Sequence, residues 1–404
     1  MSGAQSVYAC STNARALAAQ RGSAKHRFLV GTCSLHDANE LCVLEFDEEQ
    51  GQLNAVSLYA HPDQVWALET STQDPSLVVT SRQSQQQSSL SGVTLWRMPA
   101  TANAVEKAEL VEVAAVTRPV EKESYAHSIR WHPGSRDALL VCEDYDVSVY
   151  SIDESTVTCA GKLTLPRVQQ QQQQQQPGES ELSWVGTGTA TWDPMAGSSS
   201  AAAAHGPHVV LFDTRSMAAG PTAQILNAHG GGAVRDLDYN PNKAHVLLTC
   251  GHDRSCKVWD LRSTKAPIKV LSGHSHWVSC CRYNPCHDQL LLTGGCDQLV
   301  NLWRATSVSS ASSGLSLADA APTPRSRSRS DSDGGTAPFP PGSPSSPTGD
   351  APDAKVRCMD QHHEDSVYAV AWGGADAWVH ASLSFDGRVV LDHVPSAEKY
   401  KILL

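Results

Sequence analysis

The sequence predicts an all-β fold, a seven-bladed propeller occupying residues 1–404 as a single domain, and three observations lead there. First, a block repeats without a gap. LLTCGHDRSCKVWDLR (247–262) aligns with LLTGGCDQLVNLWRAT (291–306), so Asp253 and Asp297 stand 44 residues apart, as do Trp259 and Trp303. Second, apolar runs are short, rich in β-branched and aromatic residues, and bounded by Asp-Pro, Asn-Pro and Asp-Gly pairs, which are strand and turn signals. Third, long apolar patterns of helical period are missing. With two low-complexity segments set aside, roughly 320 residues remain, about enough for seven repeats of four short strands.

Each repeat is traced in turn. The first takes VYACSTNARALA (7–18), RFLVGTCSL (27–35) and LCVLEFD (41–47). The second runs from His61 through Val65 to LWRMP (95–99), and the third from His127 through Asp144 to Tyr150. The fourth contains SWVGTGTATWDP (183–194) and closes with VVLFDTR (209–215). The aligned pair supplies the fifth and sixth, and ASLSFDGRVVLDHV (381–394) the seventh. Two closures of the ring are open: the tail YKILL (400–404) as the last strand of blade seven, or the N-terminal strand completing that blade. Eight glutamines at 169–176, within a loop at 167–180, and the Ser/Pro-rich 305–355 with RSRSRSDSD (325–333) lack apolar periodicity, and read as disordered insertions. An isolated blade cannot bury both its faces, so stacking around a closed ring must supply the core.

The net charge is −11, which argues against a nucleic-acid groove or a polybasic membrane-binding surface. The N-terminus has no signal-peptide apolar core, and no apolar run reaches the roughly 18 residues that span a bilayer. The 12 cysteines form no C-x-x-C pair, so reduced thiols in a cytoplasmic protein are expected, not a zinc ribbon.

Asp, His and Ser/Thr recur together. The sets are His229, Thr249, Asp253 and Trp259; His274, Thr293, Asp297 and Trp303; and His363, Ser382 and Asp386, with Asp392 where a Trp would sit. These are also the residue types of a hydrolase triad. The hydroxyl falls mid-strand, however, where substrate cannot reach it, and the same set recurs in several repeats, which fits scaffolding. AHGGG (228–232) has no G-x-S-x-G partner, GTGT (186–189) lacks a third glycine, and no phosphate-binding loop is present. His274, His276, His362 and His363 have no Cys or carboxylate at metal-ligand spacing. No catalytic, cofactor or metal residue is therefore expected, and the chain is read as a non-enzyme.

A period of about 40–45 residues with His early, Asp later and Trp-Asp at the end resembles the WD40 repeat. That resemblance implies a buried hydrogen-bond chain in which Trp donates to the hydroxyl, the hydroxyl to the imidazole, and the imidazole to the carboxylate. A narrower resemblance rests on RFLVGTCSL (27–35), LWRMP (95–99), VRDLDYNPNK (234–243), HSHWV (274–278), YNPCHDQLLLTG (283–294), EDSVYAVAW (364–372), SLSFDGRVV (382–390) and YKILL (400–404). These stretches resemble the WD-repeat family of EARP and GARP complex-interacting proteins, partners of vesicle tethers. The resemblance implies a scaffold that binds those tethers and supports endosomal recycling and endosome-to-trans-Golgi traffic. It also implies peripheral recruitment to endosomes and the trans-Golgi network, with a small GTPase as a further partner. The glutamine tract and the Ser/Pro character of 305–355 depart from the family pattern.

Successive strands alternate direction, so two sets of turns crowd one end of a propeller. Trp66, His252, His276, Trp277, Tyr368 and Phe385 lie beside the His and Asp markers and form the candidate partner-binding face. An alternative comes from VWDLR (258–262) and LFDTR (211–215), which resemble the W-D-x-R box of cullin–RING ligase substrate receptors. Arg262 and Arg215 would then be the adaptor contacts.

Overall fold

A computed structural model describes residues 5–83, 90–100, 104, 106–119, 126–135, 137–143, 146–153, 156–165, 188–195, 199–311 and 353–404. Among the described residues the chain forms seven antiparallel sheets, six of four strands and one of five. Blades are numbered here from the first complete innermost strand. These innermost strands are Ala14–Ala19, Gln64–Thr70, Ser128–Trp131, Thr189–Trp192, Val234–Tyr239, Val278–Tyr283 and Val367–Trp372. Blade 1 gains a fifth strand where Ala108–Glu109 pairs in parallel with Tyr59 and Ala60.

The core is divided into seven apolar clusters, each filling the gap between two consecutive blades. Strand alternation explains how one blade serves two gaps. In blade 1, Phe28, Val30, Cys42 and Leu44 face blade 7, while Leu29, Leu41 and Val43 face blade 2. Both faces are buried, so the central strands read as near-continuous apolar runs.

Ring closure differs from part of the sequence expectation. The first repeat is split: Ser6–Ala9 is the outer strand of blade 7, with Ser6 opposite Leu391 and Ala9 opposite Arg388. Only Ala14–Ala19 belongs to blade 1. YKILL is not a strand. It lies in a helix, Ser396–Leu403, and Ile402 packs against the gap between blades 6 and 7. The buried Glu398 of this helix accepts from Arg304 of blade 6 at 2.6 Å, which anchors the helix to the ring.

The glutamine tract, Asp144 and residues 312–352 lie outside the described residues. At the ends of 305–355 the described residues belong to the folded body. Ala305 ends a strand and Asp353 begins the outer strand of blade 6 (Asp353–Met359). Between them, Ser310 bonds to Asp288 at 2.6 and 2.8 Å and Ser307 N–H donates to Asp353 at 2.9 Å.

Candidate functional site

The polar sets resolve into hydrogen-bond chains in the blades. In blade 5, Trp259 Nε1 donates to Thr249 Oγ1 at 2.9 Å, His229 Nε2 meets the same hydroxyl at 2.9 Å, and His229 Nδ1 lies 2.7 Å from Asp253. In blade 6, Trp303 donates to Thr293 at 2.9 Å, His274 Nε2 lies 2.8 Å from that hydroxyl, and His274 Nδ1 lies 3.0 Å from Asp297. Thr249 and Thr293 are fully buried mid-strand, so no substrate reaches them. Burial alone would raise the Asp253 carboxyl. The hydrogen bonds from His229 and Lys257 outweigh it and hold the group below the ordinary carboxylate range. Asp297 is lowered in the same way, mainly by His274 against its burial.

A glycine makes the direct His–Asp contact possible. A Cβ at Gly295 would meet Asp297 at 2.4 Å and His274 at 2.6 Å, and one at Gly251 would meet His229 at 2.8 Å. Blade 7 has Ser384 at the equivalent place, two residues after the buried hydroxyl. The expected His363–Asp386 contact is accordingly corrected. His363 Nδ1 lies 2.7 Å from Ser384 Oγ, which in turn donates to Asp386, while His363 Nε2 lies 2.8 Å from Ser382. Asp392, in the Trp position, is fully buried and pairs with Arg357 at 3.1 Å.

Sequence reading missed one chain. In blade 2, Trp96 donates to Thr80 at 2.9 Å and His61 Nε2 lies 3.0 Å from the same hydroxyl. His61 Nδ1 turns to the backbone carbonyl of Asp63 at 2.7 Å in place of a carboxylate. Thr80 and Trp96 stand 16 residues apart, against ten for the hydroxyl and Trp of blades 5 and 6, so the spacing that marks those chains does not reveal this one.

The proposed face residues form two aromatic groups at one end of the ring. Trp277 is half-buried and stacks on His252 with ring centroids 4.1 Å apart, with His276 tilted against it at 5.0 Å. Tyr368 meets Phe385 edge-on at 5.8 Å. The guanidinium of Arg15 lies 4.4 Å from the Trp66 ring and 5.0 Å from the Tyr368 ring. Arg15 carries no sequence signal beyond being a basic residue between two buried alanines, and was not anticipated.

The arginines of the alternative reading are engaged locally. Arg262 forms a two-pronged pair with Asp260 at 2.9 and 2.6 Å, and Arg215 one with Asp213 at 3.2 and 2.8 Å. Each guanidinium closes the turn after its own strand. A partner would have to displace that carboxylate, so the geometry gives no support to an adaptor contact.

Along the ring axis a cavity of about 530 Å³ is lined by Glu69, Arg130, Asp238, Arg282 and Trp372 among others. Two of its arginines are paired: Arg130 bonds Glu69 at 3.2 Å and Arg282 bonds Asp236 at 2.5 Å. Among the described residues no group of three or more His, Cys, Asp or Glu side chains is arranged to hold a metal ion. No described helix is long and apolar enough to cross a membrane.

A family model described as the EIPR1 β-propeller matches residues 2–303. The chain is similar to the human EARP and GARP complex-interacting protein 1, at 32% identity over 98% of both chains. It is 33% identical to the zebrafish (Danio rerio) EARP-interacting protein homolog, again over 98% of both. The EARP-interacting protein 1 of Caenorhabditis elegans is 29% identical over 93% of this chain and 92% of its own.

Proposed function

The chain belongs to the EIPR1 β-propeller family, and from that premise we propose that it is a non-catalytic platform that binds the EARP and GARP vesicle-tethering complexes. The observation that carries this reading is end-to-end similarity to relatives named for interaction with those complexes. A relative aligned over 98% of both chains corresponds to this one along its whole length, not in a single segment. The Asp–His–hydroxyl sets support the absence of catalysis, since each hydroxyl is buried and already bonded on both sides. In this proposal the protein works in endosomal recycling and endosome-to-trans-Golgi traffic, recruited from the cytoplasm to those membranes through the tethers. The relatives' names give no support to a small GTPase, and none enters the proposal.

Contact is assigned to the end of the ring that carries Trp66, His252, His276, Trp277, Tyr368 and Phe385. Half-exposed tryptophan is a frequent anchor of protein interfaces. The test is affinity purification of the tagged protein from its own cells, followed by mass spectrometry. Near-stoichiometric recovery of the Vps subunits shared by EARP and GARP is expected. Recovery of a cullin and its adaptor without tether subunits would overturn the reading. Trp277→Ala should keep its melting temperature within a few degrees and lose most tether recovery. Global unfolding of that variant would return Trp277 to a packing role.

A further inference from the structure

The innermost strands share an irregularity. The ladder slips between Ala14 and Ala16, Val65 and Leu68, Val234 and Asp236, Val278 and Cys280, and Val367 and Ala369. A bulge leaves its extra residue out of the pairing and re-aims the side chain. The residues so released include Arg15, Trp66, Arg235, Ser279 and Tyr368, one from each of five blades. The residues before them, Ala14, Val65, Val234, Val278 and Val367, are all fully buried. The bulges therefore bring side chains from around the ring to the mouth of its central channel.

Arg15 is held there by ring faces, Trp66 at 4.4 Å and Tyr368 at 5.0 Å. Stacking uses the plane of the guanidinium and leaves its in-plane N–H donors for another acceptor. Arg235 stands close enough to disfavour the Arg15 charge, on top of the effect of burial. Among the described residues neither Arg15 nor Arg235 has an ion-pair partner. The contrast with Arg130, Arg282, Arg304 and Arg357 is direct, since each of those meets a carboxylate within 3.2 Å. The chain holds 42 acidic residues against 31 basic ones, so carboxylates are plentiful, yet among the described residues neither of these two arginines is paired with one. Burial, followed by Arg235, pushes the neighbouring His252 down to about 4, so at neutral pH it is an uncharged aromatic wall with Trp277.

We infer that the channel mouth is a docking site for an acidic peptide segment of a partner, with carboxylates received by Arg15 and Arg235 and apolar side chains by the flanking aromatic rings. Charge complementarity selects this occupant. Two recessed guanidiniums fork onto carboxylates, whereas a nucleic acid or an anionic membrane would need a broad basic surface that a chain of net charge −11 lacks. The inference rests on the reading of this end of the ring as the binding face and adds the chemistry of what binds.

Selection of a random 12-residue peptide display library on the full chain tests it without any tether subunit. A pool enriched in Asp and Glu is expected. A synthetic peptide from that pool should lose at least tenfold in affinity toward the Arg15→Gln, Arg235→Gln double variant, and should weaken as salt is raised. The same peptide with its Asp and Glu replaced by Asn and Gln should bind the unaltered protein at least tenfold less well, a comparison that requires no variant to fold. The double variant should melt within a few degrees of the original, because it removes the Arg15 contacts with Trp66 and Tyr368 but no ion pair among the described residues. A pool without acidic enrichment, no binder above background, or equal affinity for the acidic and amide peptides would overturn the inference. Loss of tether recovery alongside a positive peptide result would instead count against the proposed partner and leave the site standing.

Discussion

A buried threonine hydroxyl has one proton to give and lone pairs to receive with. Thr80, Thr249 and Thr293 use both, taking a Trp N–H and meeting a His ring nitrogen. What happens at the other imidazole nitrogen is decided two residues beyond the hydroxyl, where Gly251 and Gly295 leave room for the carboxylate and Ser384 inserts itself instead. Asp253→Ala leaves the wholly buried His229 without its acceptor. It should destabilise by about 1–3 kcal/mol in urea denaturation, with no change in the denaturant slope. Burial pushes His363 down to about 4. Its unfolded counterpart titrates near 6.5, so between about pH 6.5 and 4 the unfolded chain binds the extra proton and stability is lost as the pH is lowered. Asp236 and Asp238, raised by burial to about 7 and about 6, act in the opposite sense, so the contribution must be read as a difference. The stability advantage of the original over His363→Asn should shrink by on the order of 3 kcal/mol from pH 7 to 4. A gap that stays constant with pH would mean His363 is not held neutral.

At the scale of the strand, ring closure depends on four residues. Ser6–Ala9 covers the edge Arg388–Leu391, which would otherwise present unpaired backbone groups. Removing residues 1–9 should lower the melting temperature by several degrees and expose blade 7 to intermolecular pairing, visible as higher-mass species in size-exclusion chromatography. An unchanged melt with a monomeric profile would show that the ring holds without this strand. The innermost strands carry the other decisive feature. Their bulges recur at one register, five residues after the histidine at Trp66, Ser279 and Tyr368 and six after it at Arg235. Sequence spacing contains that regularity, but a bulge is visible only once the neighbouring strand is in place.

Across the whole molecule, seven apolar gaps of similar construction close a ring with no free blade face. Such a body has a packed wall and two open ends, and its diversity is confined to what the turns and bulges present at those ends. One end carries Trp277, His252, Tyr368 and the Arg15–Arg235 pair, and both the tether and acidic-peptide experiments are directed there. Conversely, Arg130 and Arg282 at the axial cavity already hold carboxylates, Glu69 and Asp236.

Repeat period, blade number and the two hydrogen-bond chains of blades 5 and 6 were legible in the chain itself, because each is written as a fixed spacing within one stretch of about 44 residues. The split of residues 7–18 between two blades, the helix made by the tail, and the relay through Ser384 were not. The first two depend on a partner far away in sequence, since Ser6 lies opposite Leu391 and Glu398 bonds Arg304, whereas the third turns on one side chain, Ser384, at the place that Gly251 and Gly295 leave open. The mouth of the channel is the extreme case. Arg15 and Arg235 are separated by more than half the chain, and only closure of the ring brings them near enough for each charge to disfavour the other.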